Sequence, residues 1–298
     1  MRNTIVVATV LFAIQGGTLG TGYAQERDRS RIEKELSKQD SVYRSTGNDV
    51  PSGYTTDRSL SDYMEMLTAD FGRDLTKLGP NDRWLDVGAG QGQAILDYLA
   101  SSDPSASLKK VRAPQRAHAV ALSIEDRRTP IWKALEAELG PARVEYLVNR
   151  RLREYTRQEL GQFQLITDVL GGFSYAENLS FFLEKVFELL APNGTFYAVL
   201  ADVRSEDGAN RPYYTGSAFS TSITNVNGSE VSVCAWLKAV ACVEVVCEPK
   251  QGWKPPIEAY RIRKVCDKVS VPAMTLVDYE AATPPGRGYR LIDTGHAR

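Results

Sequence analysis

The sequence predicts a doubly wound α/β domain on a mostly parallel, seven-stranded sheet, preceded by a helical N-terminal extension. Three observations predict it. Short apolar runs alternate with helical patterns from Trp84 onward, and the first run opens into a glycine-rich turn that leads into a helix. The chain of 298 residues at 43% hydrophobic composition is also long enough for one large core with a smaller appendage.

The N-terminus differs from the rest of the chain. Arg2 precedes an apolar run from Ile5 to Ile14, and Gly22-Tyr23-Ala24 puts small residues at −3 and −1 before Gln25. This is the pattern of a cleaved export signal over residues 1–24. An uncleaved anchor or an ordinary buried strand is the competing reading. The run is shorter than the roughly 20 residues that span a bilayer, so the mature chain is expected to have no transmembrane span. It would be periplasmic or secreted if the cut is made, and cytoplasmic otherwise. Glu26 to Gln39 is charged and helix-compatible, and Ser45, Gly47, Asn48, Pro51 and Gly53 break the pattern. Tyr63, Met64, Leu67, Phe71 and Leu75 then fall at helical spacing, closed by Gly79-Pro80. Residues 25–78 therefore read as a helical extension or lid.

From there strands and helices alternate. Trp84 to Val87 reads as the first strand, Ala119 to Ile124 as the second, Val144 to Val148 as the third and Phe163 to Val169 as the fourth. An amphipathic helix through Leu179, Phe182, Leu183, Val186, Leu189 and Leu190 stops at Pro192-Asn193-Gly194, and Thr195 to Leu200 is the fifth strand. Val231 to Val240 reads as a helix; Val243 to Cys247 and Ala259 to Val265 supply the late strands of a domain covering residues 79–270. Past Val271, Pro272, Pro284, Pro285, Gly286 and Gly288 predict an extended tail over the surface, residues 271–298.

A net charge of −1 implies no whole-molecule pull toward nucleic acid or anionic membrane, and Arg150, Arg151 and Arg153 read as a solvated face. Cys234, Cys242, Cys247 and Cys266 allow up to two disulfides in three connectivities, or buried free thiols. Their spacing fits no zinc pattern and His118 and His296 are remote in sequence, so no metal site is expected. The strongest chemical signal is the strand ending in Asp86 and followed by Gly88-x-Gly90-x-Gly92. Glycines there let the chain turn sharply and let a ligand pack on bare peptide at the strand's carboxyl end.

Arg83-Trp84-Leu85-Asp86-Val87-Gly88-Ala89-Gly90-Gln91-Gly92 resembles the first motif of class I S-adenosylmethionine-dependent methyltransferases. Gln164-Leu165-Ile166-Thr167-Asp168-Val169 resembles that family's fourth-strand motif, and Leu179 to Leu200 is similar to its fifth-strand region. The resemblance implies a methyltransferase with S-adenosylmethionine as cofactor and a small molecule or protein group as acceptor. It puts Asp86 toward the methionine ammonium, with Gly88, Ala89, Gly90 and Gly92 lining the cofactor. Asp168 would border the methyl-transfer cavity or, on a plain structural reading, cap a turn.

Two positions depart from the family pattern. Ser123 stands where a carboxylate usually holds the ribose hydroxyls, with Glu125 two residues on either substituting or beginning a helix. Asn149 and Arg150 stand at the adenine-facing acid, where Asn149 can still hydrogen-bond the adenine edge. Asp168, Tyr175 and Glu177 are the candidates to remove a proton from an acceptor, and Tyr54, Tyr63 and Met64 belong to the expected lid. The missing acids motivate an alternative, an exported non-catalytic binding protein that keeps the fold. An aminopropyltransferase on the same fold is a third reading, without that family's Asp-rich signature.

Overall fold

The computed structural model describes residues 58–100, 116–124, 126–176, 178–201, 220–253, 257–280 and 286–292. The segment read as an export signal, the helix expected at Glu26 to Gln39, Tyr54, Glu125, Glu177 and His296 lie outside these residues.

Five parallel strands form the body of the main sheet: β1 (Arg83–Val87), β2 (His118–Leu122), β3 (Val144–Leu147), β4 (Phe163–Val169) and β5 (Leu190–Ala201). Two short strands come next, β6 (Ser220–Thr224) and β7 (Glu230–Val231), then β8 (Val243–Lys250) and β9 (Ile257–Lys264). The seven-stranded sheet runs in the order β3-β2-β1-β4-β5-β9-β8, with β9 antiparallel to both β5 and β8. The strand order reverses direction between β1 and β4, the switch point where open α/β sheets bind ligands beyond the strands' carboxyl ends.

The two faces of this sheet build two cores, because alternate side chains point to opposite sides. Trp84, Leu165, Val169, Tyr197 and Val199 pack under helices α1 (Leu60–Met66), α2 (Phe71–Lys77), α3 (Gln93–Leu99) and α4 (Pro130–Leu139). Leu85, Val87, Ile166, Phe196 and Ala198 pack under α5 (Arg157–Leu160), α6 (Gly172–Tyr175), α7 (Leu179–Leu189) and α8 (Val233–Lys238). Local chemistry starts the helices. Ser59 and Asp62 form a capping box on α1, Thr129 caps α4 ahead of Pro130, and Asn178 caps α7. At the far end of α7, Lys264 of β9 is buried and donates Nζ to the carbonyls of Phe187 and Leu190, at 3.0 and 3.2 Å.

Several expected elements are corrected. The helical spacing from Leu60 to Leu75 is real in burial, since Tyr63, Leu67, Phe71 and Leu75 are all buried, but two helices carry it, broken at Leu67 to Asp70. Pro192-Asn193-Gly194 does not separate helix from strand. It sits inside β5 as a register irregularity between the pairs Phe163–Leu190 and Leu165–Thr195. The helix expected over Val231 to Val240 shrinks to Val233–Lys238, and Val231 belongs to β7.

The tail past Val271 does not merely wrap the surface. β10 (Met274–Glu280) and β11 (Gly286–Leu291) join β6 and β7 in a second sheet of four strands, order β10-β11-β6-β7. Tyr289 of β11 is buried and donates Oη to the carbonyl of Ala176 at 3.1 Å. Pro272 O accepts from Ser180 Oγ and Trp236 Nε1 at 2.8 and 3.1 Å. These paired backbones and buried side chains dock the segment on the main domain. Pro272 precedes β10, whereas Gly286 and Gly288 lie within β11 and pair in the sheet.

The four cysteines form two interleaved disulfides, Cys234–Cys247 and Cys242–Cys266. They tie α8 and the turn after it to β8 and to the end of β9. Among the described residues no helix is long and apolar enough to cross a membrane.

Candidate functional site

The glycine turn lies where the sequence puts it, at the carboxyl end of β1. Gly88, Gly90 and Gly92 all have positive φ, at 75°, 59° and 78°. At Gly88 the reason is a neighbouring backbone. A Cβ there would lie 2.6 Å from Gly171 Cα, and a Cβ on Gly171 would lie 2.4 Å from the carbonyl oxygen of Val87. The turns after β1 and β4 thus pack peptide against peptide at the switch point, and Gly88 itself is exposed. Within the turn the N–H groups of Gly88 and Ala89 donate to Leu122 O, at 2.9 and 3.1 Å, and that of Gly92 to Ala89 O at 2.8 Å. The N–H groups of Gly90 and Gln91 bond to nothing among the described residues.

Asp86 is fully buried and held by hydroxyl groups. Tyr63 of α1 donates Oη to its Oδ1 and Oδ2, at 3.0 and 2.9 Å, and Thr167 donates Oγ1 to Oδ1 at 2.7 Å. Trp84 Nε1 donates to the same Thr167 oxygen at 2.8 Å. The register that pairs Asp86 with Thr167 across β1 and β4 puts these side chains on one face. Burial pushes the Asp86 carboxyl up to about 7, against the lowering effect of its hydrogen bonds from Thr167 and Tyr63 and of the Arg58 charge.

Asp168 comes one residue after Thr167 and therefore faces the other side of the sheet. It too is fully buried, and its Oδ1 and Oδ2 accept the backbone N–H groups of Gly171 and Phe173, both at 2.8 Å. Burial pushes this carboxyl up to about 7 as well, despite those two bonds. The tertiary structure thus gives Asp168 the turn-capping contacts of the plain structural reading. Tyr175 ends α6, three residues after Gly172.

At the two positions that depart from the family pattern, the side chains have different surroundings. Ser123 comes just after β2, nearly buried, with its N–H on Leu147 O at 3.0 Å. Its side chain meets the hydroxyl of Tyr146, which also donates to the carbonyl of Gly90. Asn149 is exposed, at φ 65°, and donates its N–H to Ile124 O at 3.1 Å. Beside them stands Trp132 of α4, fully buried, edge-on to Tyr146 at 5.1 Å between ring centroids.

Sequence reasoning missed Trp132, Tyr146, Thr167 and Arg58, whose Nη1 donates to Val169 O at 3.3 Å. Thr167 carried a signal, a polar residue between Ile166 and Asp168 near the carboxyl end of a strand pattern. Trp132 and Tyr146 carried none, since a large apolar residue on a helix or strand usually means core.

As a sequence the chain matches no protein-family model and no curated protein. Among solved structures it is similar to the N-methyltransferase NodS of Bradyrhizobium japonicum in complex with S-adenosyl-L-homocysteine, at 14% identity and a TM-score of 0.45, over 76% of this chain and 98% of that one. It is also similar to an rRNA methylase of Streptococcus thermophilus, at 12% identity and a TM-score of 0.39, over 71% and 100%. A SAM-dependent methyltransferase of Aquifex aeolicus matches at 16% identity and a TM-score of 0.41, over 68% and 92%. These are likenesses of fold. The strand order with its one antiparallel member by itself gives the chain a class I methyltransferase-like fold.

Proposed function

We propose that the chain is an S-adenosylmethionine-dependent methyltransferase acting on a small molecule or an exposed protein group. The observation that carries this reading is the bare backbone at the switch point, where exposed Gly88 abuts Gly171 and the N–H groups of Gly90 and Gln91 are unused among the described residues. That cradle fits the donor's methionine and ribose side. The acid positions fit less well: Ser123 is turned to Tyr146, and Asn149 offers an amide in place of a carboxylate.

On this reading Gly88, Ala89 and Gly90 line the donor, Asp86 stands behind its cationic end and Asn149 serves the adenine edge. The bound donor would supply an electrophilic methyl group. The chain's part is to hold donor and acceptor in line and keep water out, the main source of rate in such a displacement. Asp168 anchors the Gly171–Phe173 turn that walls the site, which leaves Tyr175 and Glu177 as the candidates to take a proton. The two disulfides accord with export to an oxidising compartment.

Calorimetric titration of the mature chain, from Gln25, with S-adenosylmethionine and S-adenosylhomocysteine tests the reading. Binding at about micromolar Kd that Gly90→Arg abolishes supports it. A folded chain with no binding up to about millimolar ligand sinks it and favours the non-catalytic binding protein, for which the Ser123 and Asn149 positions speak.

A further inference from the structure

Asp86 belongs to the sheet, but one of its two hydroxyl partners comes from outside it. Tyr63 lies on α1, 23 residues earlier, and is 3% exposed. Its Oη reaches both carboxylate oxygens, while Thr167 reaches only Oδ1. Helix α1 is fixed at its start by its own capping box and by Leu60 N–H on Asp97 Oδ2 of α3, at 2.9 Å. The phenol is therefore delivered by a rigid element. A carboxylate that only accepts must be ionised and correctly turned to attract a cation, and a two-point contact from one hydroxyl favours both.

We propose that Tyr63 is a positioning residue of the donor site: through Asp86 it fixes the charge and orientation that receive the donor's ammonium, making α1 a working part of that site. The inference rests on the donor-binding reading above. Among the described residues Asp86 is faced by Tyr63 from α1 and Thr167 from β4, and it feels the Arg58 charge from the segment ahead of α1; Asp168, on the opposite face of β4, is the neighbouring acid whose own value the Asp86 charge raises. Tyr63 itself is held well above its ordinary value by burial and by the Asp86 charge, so it stays a donor throughout the neutral range. Asp86 and Asp168, both pushed up to about 7 by burial, change charge there, and of the two it is Asp86 that the Tyr63 hydroxyl bonds.

The Tyr63 hydroxyl lowers the Asp86 value, so removing it lets burial push Asp86 higher and keeps it neutral to a higher pH. The test is calorimetric titration of the mature chain with S-adenosylhomocysteine, in wild type, Tyr63→Phe and Asp86→Asn, from about pH 5.5 to about pH 9. Wild type should bind more tightly as pH rises through about 7. Tyr63→Phe should shift that midpoint up by about half to one unit, binding about three- to tenfold more weakly at about pH 6 and within about twofold at about pH 9. Asp86→Asn should bind weakly with no midpoint.

Equal weakening of Tyr63→Phe at every pH, or no change at all, overturns the proposal while leaving the donor site standing. So does a Phe variant that fails to fold by circular dichroism, since the hydroxyl would then hold the fold rather than the site. No binding by wild type at any pH removes the donor reading, and the proposal with it.

Discussion

The ring of Trp132 fills the space that a side chain on Gly92 would need. A Cβ on Gly92 would lie 2.4 Å from Trp132 Cζ3 and 2.7 Å from Cε3, and Gly92 has a φ of +78°. The last glycine of the turn is therefore required twice, by backbone conformation and by helix α4 resting on the turn. A helix packed on the loop in this way fixes the loop's height above the sheet.

Gly92→Ala should consequently cost roughly 2–5 kcal/mol in urea denaturation, the sum of a left-handed alanine and an overpacked contact. Adding Trp132→Leu should recover the overpacking share alone. A double-mutant cycle should show a coupling of about 1 kcal/mol or more. Additive costs would mean that the ring and the turn do not press on each other.

Asp168 should behave as a turn anchor in stability measurements. Asp168→Ala leaves the N–H groups of Gly171 and Phe173 without their buried acceptor, a loss of roughly 2–4 kcal/mol. Asp168→Asn retains one acceptor oxygen and should cost less. Equal stability of wild type and the Ala variant would show that the turn finds other partners.

Stability should carry the mark of the two buried acids. Asp86 and Asp168 have folded values raised to about 7, so what each contributes is fully present below the unfolded value near ~4 and is lost as pH rises through about 7. His118 acts in the opposite sense. Burial and the Arg83 and Arg143 charges hold it down to about 4, so its contribution is lost as pH falls below the usual histidine range. Urea midpoints of wild type and Asp86→Asn, measured from about pH 4 to about pH 8, separate the two. Relative to the Asn variant, wild type should lose stability steadily across that window. Parallel curves would show Asp86 ionised throughout.

Reduction should loosen the far edge of the sheet and spare the switch point. The disulfides close sequence separations of 13 and 24 residues, each worth about 3 kcal/mol on chain-entropy grounds. Dithiothreitol, or paired Cys→Ser variants, should lower the melting temperature. Hydrogen exchange should rise first in α8, β8 and β9, before β1 or β4. Uniform acceleration over the whole sheet would mean that the edge and centre unfold as one unit.

Much of this protein was legible from local pattern. Strands β1 and β4 are buried on both faces and rich in large apolar residues, such as Trp84, Leu85 and Val87 or Phe163, Leu165, Ile166 and Val169, so their strand identity survives in local composition. Gly88, Gly90 and Gly92 were legible because positive φ is a property of a residue's own backbone. The second sheet was not. β6 and β11 are parallel neighbours although more than sixty residues separate them in the chain, and no local window holds that pairing.

The sequence by itself determined the alternating elements, the place of the glycine turn after β1 and the availability of four cysteines for pairing. Only the tertiary structure decided which cysteines meet, that Tyr63 and Thr167 share Asp86, that Asp168 turns inward to cap Gly171 and Phe173, and that Trp132 rests on Gly92. The division has one physical cause. Periodicity and backbone conformation are written into neighbouring residues, whereas the partner of a buried polar group is chosen by strand register and helix packing over the whole chain.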